Sequence, residues 1–166
     1  MDATAVNAFF ESYASAWAEN DAVAIASHWN PSATDYLYKA EELPEFLVNM
    51  EQITGYWKHN ERFHERIRLR FGEVTLKPLP GGALAVLPMR WDIRFSEGVP
   101  TLEGGDFPHA GKMMGGENHV LTQLVETNNG IKLEAWVEAP DAPITYMRRL
   151  YEWAADSNAL SRGLDP

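Results

Sequence analysis

Side chains that could do chemistry are concentrated in one predicted hairpin near the C-terminal end, residues 115–140. Two strand-like runs flank an Asn-Asn-Gly turn, and Asn and Gly tolerate the left-handed conformations that tight hairpins require. If the turn closes directly, one face carries His119, Gln123, Glu134, Trp136 and Glu138. A neutral histidine can donate or accept a proton near neutral pH. This face is therefore either a pocket wall with polar groups or a solvated surface, and the sequence leaves both open.

Two further candidates lie in the N-terminal quarter of the chain. Tyr13 falls on an apolar stripe with Phe9 and Trp17, so its hydroxyl group either enters a pocket or packs within the core. Asp35 lies in a strand-like run with alternating tyrosines. Burial would raise the pKa of this carboxyl group and suit it to act as a base, whereas exposure would make it an ordinary surface acid.

The composition excludes several classes of function. A length of 166 residues and 45% apolar residues predict one folded domain over residues 1–156, followed by a loose tail over residues 157–166. The formal charge of −10, with no block rich in Lys or Arg, argues against nucleic acid and anionic membranes as partners. Cysteine is absent, and His59 and His64 lack a third ligand at metal spacing, so we expect no bound metal. The acidic N-terminus does not resemble a signal peptide and no run is long enough to span a membrane, so we expect a cytoplasmic location.

The elements that would position these side chains follow from the hydrophobic periodicity. Spacings of three and four predict helices over residues 2–18, 22–29, 44–59 and 144–156. Alternation predicts strands over residues 33–39, 65–76, 83–95, 119–127 and 131–138. Helices followed by antiparallel strands predict an α+β fold with the helices on one face of a curved sheet and a cavity between the two layers.

Two details of the predicted sheet matter for a site. The better interior face of strand 83–95 is its apolar one, which comprises Leu87, Met89, Trp91, Ile93 and Phe95. Pro88 cannot donate to a ladder, so we expect a bulge or a sheet edge at this residue. The glycines and prolines of residues 97–115 predict a flexible or ligand-covering loop.

The order of these elements resembles the nuclear transport factor 2-like superfamily. The resemblance covers about residues 3–140 and is carried by the helix pair FFESYASAWAENDAVAIASHW, the strand that follows it, and the last hairpin with its NNG turn and EAW. It implies a cone of curved antiparallel sheet wrapped around the N-terminal helices, here with an extra C-terminal helix. The superfamily includes isomerases, dehydratases, SnoaL-like cyclases, epoxide hydrolases and proteins without catalytic activity, so the resemblance leaves the sub-family open.

Similarity to the ketosteroid isomerases within this superfamily implies one set of catalytic residues. Tyr13 matches the tyrosine of the first helix, His119 the hydrogen-bond donor of the penultimate strand, and Trp136 the aromatic residue of the last strand. The position of the aspartate base falls on Leu37, and Asp35 lies two residues earlier on the same strand face. This similarity predicts proton transfer with Asp35 or His119 as the base and Tyr13 as the hydroxyl donor.

Similarity to limonene-type epoxide hydrolases implies a different set. Those enzymes use Arg-x-Asp on one strand and Trp-x-Asp on the last, and this chain has Arg90-Trp91-Asp92 and Trp136-Val137-Glu138. The alternative prediction is therefore water addition by Arg90, Asp92 and Glu138. This alternative requires the polar face of strand 83–95 to point inwards, which conflicts with the apolar face described above.

We therefore expect a pocket for a small apolar or polycyclic molecule, with catalysis that needs no cofactor. The residues expected to contact that molecule are Trp17, Tyr36, Met50, Trp57, Met89, Trp91, Gln123, Trp136 and Glu138. A homodimer is expected from the resemblance alone. A third alternative is a binding or assembly module without catalysis, whose pocket would be filled by Tyr13, Met50, Trp57 and Trp91.

Overall fold

Helices and a sheet form two layers in the computed structural model, which describes residues 1–98 and 108–140. The helices are α1 (Ala3–Ala18), α2 (Ala22–Ala26) and α3 (Met50–Glu61). The strands are β1 (Leu37–Lys39), β2 (His64–Phe71), β3 (Thr75–Leu79), β4 (Gly82–Phe95), β5 (Met113–Thr127) and β6 (Gly130–Pro140). The predicted helix 144–156, the tail 157–166 and much of the predicted loop 97–115 lie outside the described residues.

Each helix begins at a side chain that caps its free backbone N–H groups. Asp2 accepts from the Ala5 N–H at 2.8 Å, and Asp21 accepts from the Val23 N–H at 2.7 Å. Asn49 accepts from the Gln52 N–H at 2.9 Å and begins α3. The prediction that this helix starts at Pro44 is wrong, because Leu47 forms an isolated bridge with Tyr38 instead of a helical turn.

The strands form one curved, unclosed sheet in the order β1-β6-β5-β4-β2, which confirms the predicted α+β class. β3 pairs with β4 beyond the end of β2, so the single strand predicted over residues 65–76 is two strands. Pro88 faces the gap between them, where the Gly72 N–H donates to the Pro88 carbonyl at 2.9 Å. The missing N–H of Pro88 thus lies at a local interruption of the ladder, as a proline in a central strand requires.

A β-bulge in β6 sets which of its side chains face the helices. Gln123 pairs with Ala135 and Leu124 with Leu133, so Glu134 is the extra residue. Leu133 and Trp136 are consequently both buried although they are three residues apart. The predicted direct closure of the hairpin is therefore wrong beyond this point, since regular alternation would have placed Trp136 on the face of His119.

The core between the layers is built largely from aromatic rings. Its largest fully buried side chains include Trp29, Trp57, Trp136, Tyr13 and Tyr38. The Trp29 and Trp57 rings lie 5.8 Å apart, and the Tyr13 ring packs edge-on against the Trp136 ring at 5.3 Å. Trp136 and Tyr38 also line the cavity described below, so the packed core forms part of its wall.

Candidate active site

A cavity of about 380 Å³ opens between α1, α3 and the helix-facing side of the sheet. Most of its lining is aromatic or aliphatic: Trp17, Tyr38, Ala40, Tyr56, Phe63, Ile67, Leu69, Met89, Trp91, Ile93, Phe95, Met114 and Trp136. The remaining lining residues are polar: Glu41, Glu42, His59, Asn60, His64 and Glu138. Its size and few polar groups are typical of a site for one small organic molecule. The lining also confirms that strand β4 presents its apolar face to the interior.

Glu138 is the carboxyl group held most firmly in this cavity. The Trp136 indole N–H donates to Glu138 Oε1 at 2.7 Å, and Asn118 Nδ2 donates to Glu138 Oε2 at 2.9 Å. The two residues of β6 share a face because they are two positions apart, and Asn118 reaches across from β5. Each carboxylate oxygen therefore has its own donor, which holds the group in one orientation.

The surroundings of Glu138 bring its pKa close to neutral. The pKa of Glu138 is raised from 4.5 to about 7, chiefly by burial in the apolar wall. The hydrogen bond from Trp136 opposes this rise, and the nearby carboxylates of Glu42 and Glu41 add to it. A carboxyl group with this pKa is partly ionised at neutral pH. It can both accept and return a proton under those conditions.

Two acidic residues form the rim of the cavity between β1 and α3. The Tyr56 hydroxyl group donates to Glu42 Oε1. Burial raises the pKa of Glu41, and the side chains of Asn118 and Trp91 oppose that rise by favouring the carboxylate. Glu42 is thus hydrogen-bonded to a ring of the cavity wall, and Glu41 lies near Asn118 and Trp91.

His64 is the second titratable group of the interior, at the start of β2. Asn20 Nδ2 donates to the His64 backbone carbonyl at 2.6 Å, which anchors this end of the strand to the α1–α2 turn. Burial lowers the pKa of His64, against the opposing effect of Glu42, so the neutral ring dominates at pH 7. Its Nδ1 atom is buried with no hydrogen-bond partner in the part of the chain that the structure describes.

Trp91 covers the sheet side of the cavity, because its neighbour on β5 is Gly116, which has no side chain. A Cβ atom added at Gly116 would lie 3.0 Å from the Trp91 ring. Glycine therefore allows the indole to lie flat against β5, whereas a larger residue would displace it.

Comparison with solved structures shows the fold, although no family model and no curated protein matches the sequence. A Streptomyces avermitilis protein, provisionally named a dehydratase of the NTF2-like family, superposes with a TM-score of 0.66 at 16% identity, over 84% of this chain and 95% of that one. A Novosphingobium aromaticivorans protein, provisionally named a scytalone dehydratase, gives a TM-score of 0.66 at 8% identity, over 82% of each chain. The chain has the nuclear transport factor 2-like fold. An NTF2-like superfamily protein from Salmonella enterica serovar Typhimurium superposes with a TM-score of 0.64 at 8% identity, over 81% of this chain and 87% of that one.

The NTF2-like cone does not bring the three predicted catalytic residues together. Asp35 and His119 are exposed, Asp35 before β1 and His119 on the outer face of β5. Tyr13 is fully buried in the core, where its hydroxyl group lies near the Trp17 and Trp29 indoles without a hydrogen bond of normal length. Asp35 is exposed because the chain pairs as a strand only from Leu37. His119 is exposed because β5 alternates regularly and turns its neighbours Asn118 and Val120 to the inner face of the sheet.

The NTF2-like cavity does include five of the nine predicted contact residues: Trp17, Met89, Trp91, Trp136 and Glu138. The other four have different surroundings. Trp57 is buried in the core and Met50 packs against it. Tyr36 donates to the Asn30 carbonyl at 2.6 Å, and Gln123 donates to Glu134 at 3.0 Å.

The alternative set for epoxide hydrolysis is divided between the two faces of the sheet. Arg90 is exposed and forms an ion pair with Glu117, and Asp92 accepts from Arg68 at 2.8 Å. Of this set, Glu138 alone lines the cavity. The prediction that Arg90 and Asp92 act together with Glu138 in one site is therefore wrong for this fold.

Several residues of the site escape sequence reasoning. Glu41 and Glu42 lie in an irregular segment, where no periodicity indicates direction. Asn118 was not considered, because it alternates with His119, whose face was the predicted pocket wall. His64 was considered only as a metal ligand. Tyr56 follows Ile53 by three residues, so the amphipathic pattern of α3 was the available signal for its inward direction.

Neither a membrane helix nor a metal cluster is found in the two described ranges. No helix there is long and apolar enough to cross a bilayer. No group of three His, Cys, Asp or Glu side chains there could hold a metal ion.

Proposed function

We propose that this protein is an enzyme that moves a proton on a small, largely apolar molecule bound in the cavity, as in an isomerisation, a dehydration or a cyclisation. The observation that carries the proposal is the Glu138 carboxyl group, held by two donors in an apolar wall. Two NTF2-like neighbours that are provisionally named dehydratases support this class of reaction.

In this proposal Glu138 is the base. Its pKa of about 7 leaves a large fraction ionised at neutral pH, and its basicity greatly exceeds that of an ordinary glutamate. The carboxylate takes a proton from a carbon atom of the bound molecule and afterwards delivers it to another atom. The Trp136 and Asn118 donors keep the carboxylate aimed while it gains and loses the proton.

His64 is the proposed partner that assists at an oxygen atom of the substrate. As a neutral ring it can donate a hydrogen bond from one nitrogen, and its buried Nδ1 atom has no partner in the described residues. A base and a donor with pKa values shifted by the same dry cavity are sufficient for proton transfer. The mechanism therefore uses side chains alone and requires no cofactor.

The experiment is a proton-abstraction assay with 5-nitrobenzisoxazole, whose ring opens when a base removes its carbon-bound proton. We expect catalysis whose rate rises with pH through about 7, as the Glu138 carboxyl group ionises. Glu138→Gln keeps the shape of the side chain but removes the base, and should lower the rate by about 10²-fold or more.

The matched control is Glu73→Gln, which removes an exposed carboxyl group between β2 and β3. It should leave the rate unchanged. Equal rates for the wild type and Glu138→Gln, with both folded by circular dichroism, would refute Glu138 as the base. Binding of the probe without turnover in the wild type would point instead to a ligand-binding protein.

A further inference from the structure

The cavity is lined by acidic side chains and by no lysine or arginine of the described residues. Its carboxyl groups are those of Glu41, Glu42 and Glu138. A ligand that carried a carboxylate or a phosphate would meet repulsion there and no compensating cation. The wall is thus suited to a neutral or a positively charged molecule.

Aromatic rings lie beside these carboxylates. Trp91 is close enough to Glu41 to stabilise its charged form, and the Tyr56 hydroxyl group donates to Glu42. Trp136 donates to Glu138. The negative faces of such rings attract cations, and this attraction grows when water is excluded. Aromatic side chains are therefore neighbours of the acids in the cavity wall.

An unused hydrogen-bond acceptor lies next to the same acids. Asn118 is 1% exposed, and its Nδ2 atom is engaged by Glu138. Its Oδ1 atom is buried without a donor anywhere in residues 1–98 and 108–140. A buried acceptor without a donor is costly, and Asn118 meets the cavity only through Glu138, because it is not itself among the lining residues.

A metal ion does not account for this arrangement. No group of three His, Cys, Asp or Glu side chains within the described ranges could hold one. Metal sites need several oxygen or nitrogen ligands converging on one point, whereas this wall spreads its carboxylates among aromatic rings.

We propose that the cavity binds an organic cation, that is, a small, largely apolar molecule with an ammonium group. The ammonium group lies at the rim between Glu41, Glu42 and the faces of Trp91 and Tyr56, and the apolar part extends inwards past Glu138. This inference specifies the substrate class of the proposed enzyme and relies on the same cavity.

Binding of a cation should also be linked to protonation of the cavity. A cation favours the ionised form of Glu138, so binding tightens as the pH rises through about 7 and releases protons. The other titratable groups that face Glu138 from the neighbouring elements are Tyr38, Glu41, Glu42, Tyr56, His59 and His64. Protonation of Glu41 or His64 at lower pH would weaken cation binding in the same direction.

The test compares two probes of nearly equal shape, 2-phenylethylammonium and 2-phenylethanol, by isothermal titration calorimetry at about pH 6 and pH 8. We expect the ammonium probe to bind about tenfold more tightly than the alcohol at the higher pH. This preference should shrink several-fold at the lower pH. Measurements in two buffers of different ionisation enthalpy should show proton release for the ammonium probe and none for the alcohol.

Substitutions of cavity residues test whether the preference for the ammonium probe arises in the cavity. Glu42→Gln and Glu138→Gln should each reduce the preference for the ammonium probe several-fold, and Glu73→Gln should not change it. Glu42 is exposed, so its substitution keeps the test valid if the Glu138 variant does not fold. Equal affinity for both probes, or failure of the ammonium probe to bind the wild type, overturns the proposal. If the alcohol binds equally and 5-nitrobenzisoxazole still reacts, the cation class alone fails and the proposed proton transfer stands.

Discussion

The raised pKa of Glu138 predicts a pH-dependent loss of stability that a single substitution should remove. In the unfolded chain this carboxyl group titrates near 4.5, and in the native protein at about 7. Between these values the native state binds more protons than the unfolded state, so the free energy of unfolding falls as the pH rises through this window. The full difference corresponds to roughly 3 kcal/mol.

Glu138→Gln removes this titration while keeping the two hydrogen-bonded positions. The Gln oxygen can accept from Trp136, and the free Asn118 Oδ1 atom can accept from the Gln amide after a flip of the Asn118 side chain. The free energy of unfolding of the variant, relative to that of the wild type, should therefore rise by about 2 to 3 kcal/mol between about pH 5 and about pH 8.5. Its own stability should depend less on pH.

Urea unfolding followed by tryptophan fluorescence measures the free energy of unfolding of both proteins at both pH values. The chain has six tryptophans, and five of them lie in or beside the core cluster or the cavity, so the signal is sensitive to loss of packing. Glu73→Gln, which removes an exposed carboxyl group, should parallel the wild type at every pH. If Glu138→Gln gains no stability relative to the wild type between the two pH values, the carboxyl group is not buried as described and its role as a base loses its basis.

Further substitutions test the site and its scaffold. Trp136→Phe removes the donor at 2.7 Å from the neighbouring carboxyl group, so the inflection of the pH–rate profile should move upwards. Gly55→Ala, in α3 with nothing within 4 Å of its added Cβ, should raise the free energy of unfolding by about 0.5 to 1 kcal/mol. Gly82→Ala should destabilise the protein, because the added Cβ atom would collide with the backbone carbonyl oxygen of Leu124. Leu124→Ala should lower the free energy of unfolding by about 2 to 5 kcal/mol in urea, because Leu124 is buried. Leu121→Ala should lower it much less, because Leu121 is 45% exposed. Similar losses for the two variants would contradict the assigned faces of β5.

The sequence predicted those elements whose hydrophobic pattern is long and regular. The start of helix α1 was predicted to within one residue. The inward face of β4 was also predicted correctly, because a tryptophan or phenylalanine on the wrong face would expose a large apolar area. The Asn-Asn-Gly turn was also predicted correctly, and Gly130 has a φ of 90° there. Local pattern and burial agree in these parts of the chain.

The site itself was predicted only in part, because it depends on a β-bulge and on an irregular segment, neither of which produces a periodic sequence pattern. One extra residue, Glu134, changes which face of β6 carries Trp136 and Glu138, and alternation cannot reveal such a change. Glu41 and Glu42 reach the cavity from an irregular segment whose direction is set by tertiary contacts. Asp35 and Tyr13 have suitable chemistry, but whether a side chain reaches a cavity depends on packing that a single sequence does not specify.

The bulge at Glu134 also offers a way for the curvature of this sheet to change by a single insertion or deletion. Its side chain accepts from Asn30 at 2.7 Å and from Gln123 at 3.0 Å, which ties the extra residue to both neighbours. A chain that lost this one residue would still pair Leu133 with Leu124 and Trp136 with Thr122, now without an interruption. Because bulges bend and twist the strand that contains them, deletion or insertion here alters the curvature of the cone while the Glu138 carboxyl group still faces the interior. Strand length at this position is thus a means of reshaping the cavity that leaves its chemistry in place.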